Sequence, residues 1–433
     1  MKNHYSIAEA AELLSVSKQT LRRWDGSGKL KSTRMPNNYR TYSPESLREY
    51  TGTKAENLIK ETAEDYRAMP LKEYSVLELF AGAGGLALGL EKAGLSCKLL
   101  NEIDPWACKT LRRNRPHWHV VEGDVTQQSF LELKGKIDIV TGGFPCQSFS
   151  YAGKKRGLDD ARGTLFYEFA RTVKEVEPLI CVGENVKGLL THDKGQTLNA
   201  MVQILEDLGY DVLTPRVLKA AFYNVPQKRE RLFIVGIKKG SGIDFNYPQA
   251  ASEMMNLSAA LKVGVLFDTD VAESIGQKYP QRKHEIMSLI PPGGYWRDLP
   301  IDIQKEYMLK SFYLGGGKTG MARRISWEEP CLTLTTAPAQ KQTERCHPDH
   351  TRPFQTREYA RIQTFPDNWI FEGSMNQIYK QIGNAVPVNL AFALGKELVK
   401  SLNMYTVTKE LQNKYQDHAD KIAQSNPQLS LSI

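Results

Sequence analysis

Two side chains of this 433-residue chain occupy positions where reactive groups are expected at the edge of a sheet. Cys146 lies in the stretch Gly-Gly-Phe-Pro-Cys-Gln-Ser-Phe-Ser (142–150), directly after the apolar run 137–141, which predicts a buried strand. Glu184 follows a second apolar run, 179–183. Carboxyl ends of parallel strands meet at one edge of an open α/β sheet, so we expect this thiol beside this carboxylate. A cysteine that only packs in the core is the alternative for Cys146 taken alone.

Two arginines form a second candidate group for chemistry. Arg229 and Arg231 precede the apolar run 232–236, which predicts a further strand. Alternate residues of a strand share a face, so both guanidinium groups could reach one anion or one base edge. Salt bridging at the surface is the competing explanation.

A glycine-rich turn supplies a candidate ligand loop. The predicted strand 75–80 leads into Ala-Gly-Ala-Gly-Gly (81–85) and then into a helical pattern. Glycines at such a turn let the backbone approach a ligand and direct free N–H groups at it. Gly82, Gly84 and an acid twenty residues after Gly82, Glu102, suit an adenosine-type ligand. The pattern does not separate a nicotinamide dinucleotide from S-adenosylmethionine, and a purely structural turn is the alternative.

Further strands and helices must position these loops. Strands 98–102 and 119–122 end near Glu102 and Asp124, which suit a ribose and an adenine amino group respectively, although either could be an ordinary turn acid. Between them, Asp-Pro at 104–105 begins a predicted helix. This alternation of strand and helix predicts the α/β class with a parallel sheet.

The first 52 residues form a separate predicted module. A capping pattern begins a helix at Ile7, and a second helix covers 18–25 with three basic residues on its outer face: Lys18, Arg22 and Arg23. A polar hairpin around 37–38 and a third helix starting near 43 follow. The segment resembles the winged helix-turn-helix of MerR-type regulators and excisionases. Its concentrated basic charge suits DNA phosphates, and a protein-docking module is the alternative.

Composition bounds the remaining possibilities. The formal net charge of +8 permits an anionic partner such as nucleic acid without proving one. Six scattered cysteines include no C-x-x-C pair, so we expect reduced thiols and no metal. No run of eighteen apolar residues and no signal-like start occurs, so we expect a soluble, cytoplasmic protein with no membrane partner.

Seven motifs occur along the chain in a fixed order: F-A-G-A-G-G-L, N-E-I-D, G-D-V, G-F-P-C-Q-S-F-S, E-N-V, Q-K-R-E-R and Q-I-G-N-A-V-P. Together they resemble the C5-cytosine DNA methyltransferases, over residue 75 to about 394 apart from one variable stretch. The resemblance implies a Rossmann-like, S-adenosylmethionine-dependent methyltransferase sheet with a smaller target-recognition domain. It implies Cys146 as nucleophile, Glu184 as the acid that contacts the base, and Arg229 and Arg231 as supports of a flipped cytosine.

The same resemblance implies a cofactor site for S-adenosyl-L-methionine. Its residues would be Phe80, Ala81, Gly82, Gly84, Glu102, Ile103, Asp124, Val125, Pro145, Leu165, Asn384 and Val386. In this chemistry a thiolate adds to C6 of cytosine and makes C5 nucleophilic. The base must leave the duplex to be reached, and the polar, basic loop 147–163 would close behind it.

Double-stranded DNA is therefore the expected partner. Candidate DNA-contacting residues are Gln147, Ser150, Lys154, Lys155 and Arg156 in that loop, Arg323 and Arg324 further on, and the N-terminal basic residues named above.

The expected domain order is a helix-turn-helix module (1–52), a linker (53–73), a cofactor-binding catalytic domain (74–238), a target-recognition region (239–355), a return segment that completes the catalytic domain (356–405), and a polar tail (406–433). The last helix, 387–402, should pack against the cofactor domain.

We expect a sequence-specific modification enzyme of a restriction–modification system, in the nucleoid of a prokaryote. The N-terminal module could also bind the protein's own promoter. A tRNA cytosine-5 methyltransferase and a DNA-binding regulator with an inactive methylase domain are the alternatives. Methyl transfer to duplex DNA rather than to tRNA would separate them.

Overall fold

The computed structural model describes residues 5–13, 18–28, 30–34, 40–43, 46, 69–145 and 164–425. They divide into two compact units, one formed by 1–68 with 406–433 and the other by 69–405. The predicted linker lies outside the described residues up to position 68.

The larger unit is built on an eight-stranded sheet. Its strands are β4 Ser75–Leu79, β5 Ser96–Glu102, β6 His119–Glu122, β7 Ile139–Gly142, β8 Ile180–Val186, β9 Tyr210–Val212, β10 Arg216–Lys219 and β12 Glu230–Lys238. Five of them are parallel in the order β6-β5-β4-β7-β8, and the antiparallel strand β12 continues the sheet beside β8, with β10 and β9 paired to β12. This confirms the α/β class, and it brings the ends of the five parallel strands to one edge.

Helices follow the parallel strands, as the alternating pattern predicted. They are α3 Gly85–Lys92, α4 Pro105–Asn114, α5 Leu165–Val176 and α6 Gln196–Asp207. Asp104 caps α4 by accepting from the N–H groups of Trp106 and Ala107, and Thr164 caps α5 by accepting from that of Tyr167. Both helix starts are therefore encoded by the residue that precedes them.

The segment between the sheet and the return of the chain has little regular structure. It contains α7 Ser258–Leu261, α8 Gln281–Ser288, α9 Ile301–Met308 and β13 Cys331–Leu332, which pairs in parallel with β11 Gln227–Lys228. Short 3-10 helices in the unit lie at Val125–Gln127, Leu131–Leu133, Lys187–Leu190, His192–Gly195, Ala220–Phe222, Trp296–Asp298, Leu309–Tyr313 and Lys341–Thr343. A separate apolar cluster of this segment includes Met287, Trp296, Met308 and Cys346.

Three further helices are α10 Thr356–Ile362, α11 Met375–Asn384 and α12 Val388–Ser425. Along α12, Leu390, Leu394, Leu398 and Leu402 recur every four residues and are fully buried. A Cβ atom on Gly89 of α3 would collide with Ala391, so the two helices approach closely and α12 packs as expected. The prediction that this helix ends at 402 is wrong, because its backbone continues to Ser425.

The smaller unit has the predicted first helices and wing. Its elements are β1 Tyr5–Ser6, α1 Ile7–Leu13, α2 Lys18–Gly26, β2 Thr33–Arg34 and β3 Arg40–Tyr42. The strands form an antiparallel sheet in the order β1-β3-β2. Ala10, Leu21, Leu30 and Tyr42 form the core. The turn around 37–38 and most of the third predicted helix lie outside the described residues.

Candidate active site

The ends of β7 and β8 bring a loop beside a carboxylate. The two strands are parallel neighbours with Gly142 opposite Gly183. A Cβ atom on Gly143 would lie 3.1 Å from Glu184 Oε2, so a side chain at this position would crowd the carboxylate. Glu184 lies within β8 rather than after it, because the strand is longer than predicted. The backbone that leads to Cys146 therefore passes directly beside Glu184.

Phe144, the next residue of this loop, is held in place by Asn185 and Phe166. Asn185 Nδ2 donates to the carbonyl oxygen of Phe144 at 2.9 Å, and the buried Phe144 ring meets Phe166 of α5 edge to face at 5.3 Å. Pro145 is exposed. Cys146, Gln147, Ser150, Lys154, Lys155 and Arg156 lie outside the described residues, so their assignments stay predictions.

Glu184 is paired with Arg231 across the sheet. Arg231 Nε lies 2.7 Å from Glu184 Oε1, and the two side chains are only 12% and 10% exposed. Burial raises the pKa of Glu184, and the charges of Arg231 and Arg229 oppose that rise. A carboxyl group in this setting takes up a proton more readily than a solvated glutamate does. It can therefore offer a proton or a strong hydrogen bond to a ring nitrogen.

Arg229 has different partners from Arg231. It lies between β11 and β12, is 1% exposed, and donates to the carbonyl oxygens of Leu334 at 3.1 Å and Gly383 at 2.9 Å. The expectation that both arginines lie on a single strand is therefore not met, although the charge of Arg229 still acts on Glu184. Arg231 contacts the carboxylate, whereas Arg229 joins the sheet to the return segment.

The glycine-rich loop follows β4 with an unusual backbone. Phe80, Gly82 and Gly84 have φ values of 58°, 54° and 83°. Glu102 Oε2 accepts from the N–H of Gly82 at 2.7 Å, and Oε1 accepts from the N–H groups of Ile103 and Asp104, each at 2.8 Å. The carboxylate thus joins the ends of two parallel strands, which fixes the loop before any ligand binds.

The glycine-rich loop leaves space for a ligand at Gly82 but not at Gly84. Nothing stands within 4 Å of a Cβ position on Gly82, whereas a Cβ atom on Gly84 would lie 2.7 Å from Leu111. Ile103 follows Glu102, whose carboxylate is bonded to this loop, and is 65% exposed although apolar. An open backbone turn flanked by an exposed apolar side chain and by strand-end acids fits an adenosine-type cofactor.

The other predicted cofactor residues are distributed around the same edge. Asp124 is exposed and accepts from the N–H of Thr126, while Val125 and Ala81 are buried. Leu165 is half-buried at the start of α5. Asn384 is exposed, and the Val386 carbonyl lies where a Cβ atom on Gly85 would collide with it. The return segment therefore lies against the glycine-rich loop.

Two residues proposed for DNA contact need correction. Arg324 is 4% exposed and donates to the carbonyl oxygens of Met287, His347 and Pro348 and to Thr351 Oγ1. A buried guanidinium with these partners stabilises its own segment and does not face DNA. Arg323 is 14% exposed and pairs with Glu329, so its charge is also largely used within the fold. Lys18, Arg22 and Arg23 are exposed on α2, as expected.

Sequence reasoning missed one role of Asp104. Its Oδ1 caps α4, and its Oδ2 accepts from Lys380 Nζ of α11 at 2.7 Å, which joins the Glu102 loop to the helix that ends at Asn384. The Asp-Pro pair predicts the helix cap from adjacent residues. The ion pair with Lys380 could not be predicted in this way, because Lys380 lies 276 residues later in the chain.

The fold and site define a class: an open α/β sheet with a glycine-rich ligand turn after its first parallel strand and a buried carboxylate–arginine pair at the same edge, as in methyltransferases. Residues 74–400 match the family model of the C-5 cytosine-specific DNA methylases, and the chain belongs to that family. It is a DNA (cytosine-5-)-methyltransferase. Residues 6–42 match the model of the MerR family regulatory proteins.

Related proteins agree with this assignment. The chain is 62% identical over 406 residues to the type II methyltransferase M.Eco47II of Escherichia coli, covering 93% of this chain and 97% of that protein. It is 56% identical over 404 residues to the type II methyltransferase M.PspPI of a Psychrobacter species, with the same coverage.

Among solved structures, a DNA modification methyltransferase encoded within an Escherichia coli prophage matches with a TM-score of 0.55 and 26% identity, covering 76% of this chain and all of that one. The Dnmt2 methyltransferase of S. pombe matches at a TM-score of 0.50 and 16% identity, which supports the fold alone. No helix within the described residues is both long and apolar enough to cross a membrane.

Proposed function

We propose that this enzyme methylates a flipped cytosine of duplex DNA through a covalent adduct with Cys146. The observation that carries this proposal is the buried Glu184–Arg231 pair beside the Gly143–Pro145 backbone, which leads directly to Cys146. Desolvation makes a buried ion pair costly for stability, and buried ionisable groups with shifted pKa values cluster at functional sites.

The residues take complementary parts in the reaction. The Cys146 thiolate adds to C6 of the base, which forms a C–S bond and makes C5 nucleophilic. Glu184 hydrogen-bonds N3 and stabilises the charge that develops there, while Arg231 orients Glu184 and holds O2. After methylation, loss of the C5 proton to a base restores the double bond and expels the Cys146 sulfur. Arg229 contributes indirectly, because its hydrogen bonds to the carbonyl oxygens of Leu334 and Gly383 fix the backbone that precedes Arg231.

S-adenosyl-L-methionine is the proposed cofactor, and when bound it supplies an electrophilic methyl group on a sulfonium centre. The open turn at Gly82 would admit its adenosyl part, with Ile103 against the adenine ring. Glu102 would accept from the ribose hydroxyls and Asp124 from the adenine amino group. The other residues proposed to line this site are Phe80, Ala81, Gly84, Val125, Pro145, Leu165, Asn384 and Val386.

Duplex DNA would be held by the basic loop after Cys146, through Gln147, Ser150, Lys154, Lys155 and Arg156, and sequence would be recognised by the region 239–355. The relatives at 62% and 56% identity are type II methyltransferases, and we assign the same role, the modification half of a restriction–modification system in the bacterial cytoplasm. The N-terminal module adds a second DNA contact, which we propose is directed at the promoter of its own operon.

The test is transfer of labelled methyl groups from S-adenosylmethionine to unmethylated plasmid DNA and, separately, to tRNA. We expect incorporation at C5 of cytosine in the plasmid only. Labelling of tRNA alone would contradict the proposal. Cys146→Ser should abolish transfer while leaving S-adenosylhomocysteine binding within about twofold, because the hydroxyl of serine is a far weaker nucleophile than a thiolate. A serine variant with wild-type activity would remove Cys146 as nucleophile.

A further inference from the structure

A chain of buried amide hydrogen bonds crosses the larger unit away from the Glu184 carboxylate. Gln227, at the start of β11, is fully buried; its Oε1 accepts from the N–H of Leu334 at 3.0 Å and its Nε2 donates to Gln363 Oε1 at 2.9 Å. Gln363, also fully buried, donates from Nε2 to the carbonyl oxygens of Ile382 at 2.7 Å and Ala385 at 3.1 Å. Two side chains thus link three distant parts of the sequence.

Arg229 makes a second, independent connection between the segment at Leu334 and the end of α11. Its guanidinium donates to the carbonyl of Leu334 and to that of Gly383. Gly383 itself is in direct backbone contact with the recognition region, since a Cβ atom there would collide with the carbonyl of Thr335. The segment 334–336 is therefore held between the stretch 227–229, which directly precedes β12, and the C-terminal end of α11.

The ends of this network are the places where function is expected. Leu334 follows β13 in the proposed recognition region, and Ile382 and Ala385 flank Asn384 on the proposed cofactor side. Arg229 stands two residues before Arg231. A shift of the segment 334–336 would leave buried donors or acceptors unpaired at the sheet or at α11 unless those elements moved with it. The network therefore favours concerted positions of all three.

We propose that Gln227 and Gln363 are positioning residues that couple DNA binding in the recognition region to cofactor binding at the Asn384 end of α11. This rests on the proposed function of both sites. Each glutamine acts through others: Gln227 sets the segment 334–336 relative to Arg229 and Arg231, and Gln363 transmits that position to the backbone around Asn384. Because such coupling is reciprocal, the cofactor must strengthen DNA binding by the same factor by which DNA strengthens cofactor binding.

The matched variants are Gln363→Met and Gln381→Met. Methionine keeps the length and volume of glutamine but makes no strong hydrogen bond. Gln381 is a buried glutamine of α11 whose side chain likewise accepts and donates hydrogen bonds, accepting from Thr110 Oγ1 and donating to the carbonyl of Glu372, but its partners lie outside the network. Both variants lose the same kind of bonds, and only one loses the link to Gln227.

The measurement is the dissociation constant of S-adenosylhomocysteine, determined by calorimetry on the full chain with and without unmethylated plasmid DNA. The reciprocal measurement is plasmid binding with and without S-adenosylhomocysteine. We expect the wild type and Gln381→Met to share one coupling factor, within roughly the 5- to 150-fold span usual for linked sites. Gln363→Met should lower that factor in both directions to the part that the Arg229 bonds still carry, while the dissociation constant without DNA changes little.

A folded Gln363→Met variant with the wild-type coupling factor would overturn the proposal, as would a wild-type factor of one. If Gln363→Met does not fold, Gln227→Met breaks only the Leu334 side of the network, keeps the bonds to Ile382 and Ala385, and should uncouple the sites equally. Methyl transfer by the wild type is measured in parallel. Absence of transfer to plasmid DNA would count against the proposed function, whereas loss of coupling in an active enzyme concerns this inference alone.

Discussion

At the scale of single residues, Glu184 shows how surroundings set a role. Burial disfavours the carboxylate, and Arg231 at 2.7 Å favours it. Burial is the larger effect, so the pKa of Glu184 lies above that of a solvated glutamate. The side chain is thereby suited to hydrogen-bond a ring nitrogen that gains charge during reaction, and its ion pair with Arg231 holds it in place.

Replacing Glu184 by glutamine should lower kcat/KM for plasmid methylation by roughly 10²- to 10⁴-fold, because an amide cannot supply the proton. Cofactor binding should stay close to wild type. Glu168→Gln is the matched control, since Glu168 is also buried and also pairs with an arginine, Arg171, at 2.7 Å, but outside the site. Steady-state methylation measures both variants. A Glu184→Gln rate within threefold of wild type would exclude the proposed role.

The pH profile of the same reaction tests the raised pKa. The protonated form of Glu184 persists to higher pH than that of a solvated glutamate, so kcat/KM should fall as pH rises through this raised pKa. Glu184→Gln should lose that part of the profile while keeping any limb due to Cys146. If the fall in kcat/KM at alkaline pH were the same in Glu184→Gln as in the wild type, another group would be responsible for it.

At the scale of elements, Gly82 and Gly84 of the glycine-rich loop differ in why a larger residue would be unfavourable. Both have positive φ, but only Gly84 is packed against neighbours. Gly84→Ala should lower the free energy of unfolding by about 2–4 kcal/mol, from backbone strain together with overpacking against Leu111. Gly82→Ala should cost only about 1 kcal/mol, yet its methyl group enters the open space and should weaken S-adenosylhomocysteine binding at least tenfold. Denaturant unfolding and calorimetry measure the two quantities, and equal effects in both variants would refute this division.

His347 makes the stability of the region 239–355 sensitive to acid. It is buried, its Nδ1 accepts from the N–H groups of Asp349 and His350, and Glu358 and Arg352 also face it. Burial lowers its pKa from 6.5 to about 4. The stability it contributes is therefore complete above pH 6.5 and is lost as pH falls towards 4, by about 3 kcal/mol in total.

The test of this acid sensitivity is unfolding at a series of pH values. His347→Asn keeps an acceptor for the two N–H groups but cannot become protonated, so its stability should fall less steeply between pH 6.5 and 4 than that of the wild type. His350→Asn, at an exposed neighbour, serves as control and should follow the wild type. Identical slopes for His347→Asn and wild type would exclude His347 as the source.

How far the sequence predicted these elements depended on whether the signal was local. The strand before the glycine turn, the caps at Asp104 and Thr164 and the helices of the N-terminal module were predictable, because each is encoded within a few residues. The burial of Arg324, the separate partners of Arg229 and the Gln227–Gln363 bond were not, because the partners are distant in the chain. Those of Arg324 lie 23 to 37 residues away, those of Arg229 lie 105 and 154 residues away, and Gln227 and Gln363 are 136 residues apart. Glycine-rich loops without periodicity, such as 315–317, gave no pattern from which burial could be inferred.

At the scale of the whole molecule, the chain carries two regions with DNA-binding chemistry, a methyltransferase and a MerR-type module. Each unit has its own apolar core. On α2, Arg22 and Arg23 are exposed while Leu21 is buried, so the helix presents charge without using it in the core. Such residues fit contacts to phosphates, which would add affinity for every DNA sequence.

Replacing both Arg22 and Arg23 by alanine in the full chain tests this second DNA contact. Each phosphate contact contributes about 0.9 to the slope of log K against log salt concentration, so loss of two contacts should reduce that slope by about 1.8 for a fragment of the protein's own promoter. The rate of plasmid methylation at saturating DNA should be unchanged, because neither arginine belongs to the catalytic unit. A control with Lys109→Ala, a basic residue stacked at 4.4 Å over Trp106 in the catalytic unit, should keep the wild-type promoter slope. An unchanged slope in the double variant would show that the module meets a partner other than DNA.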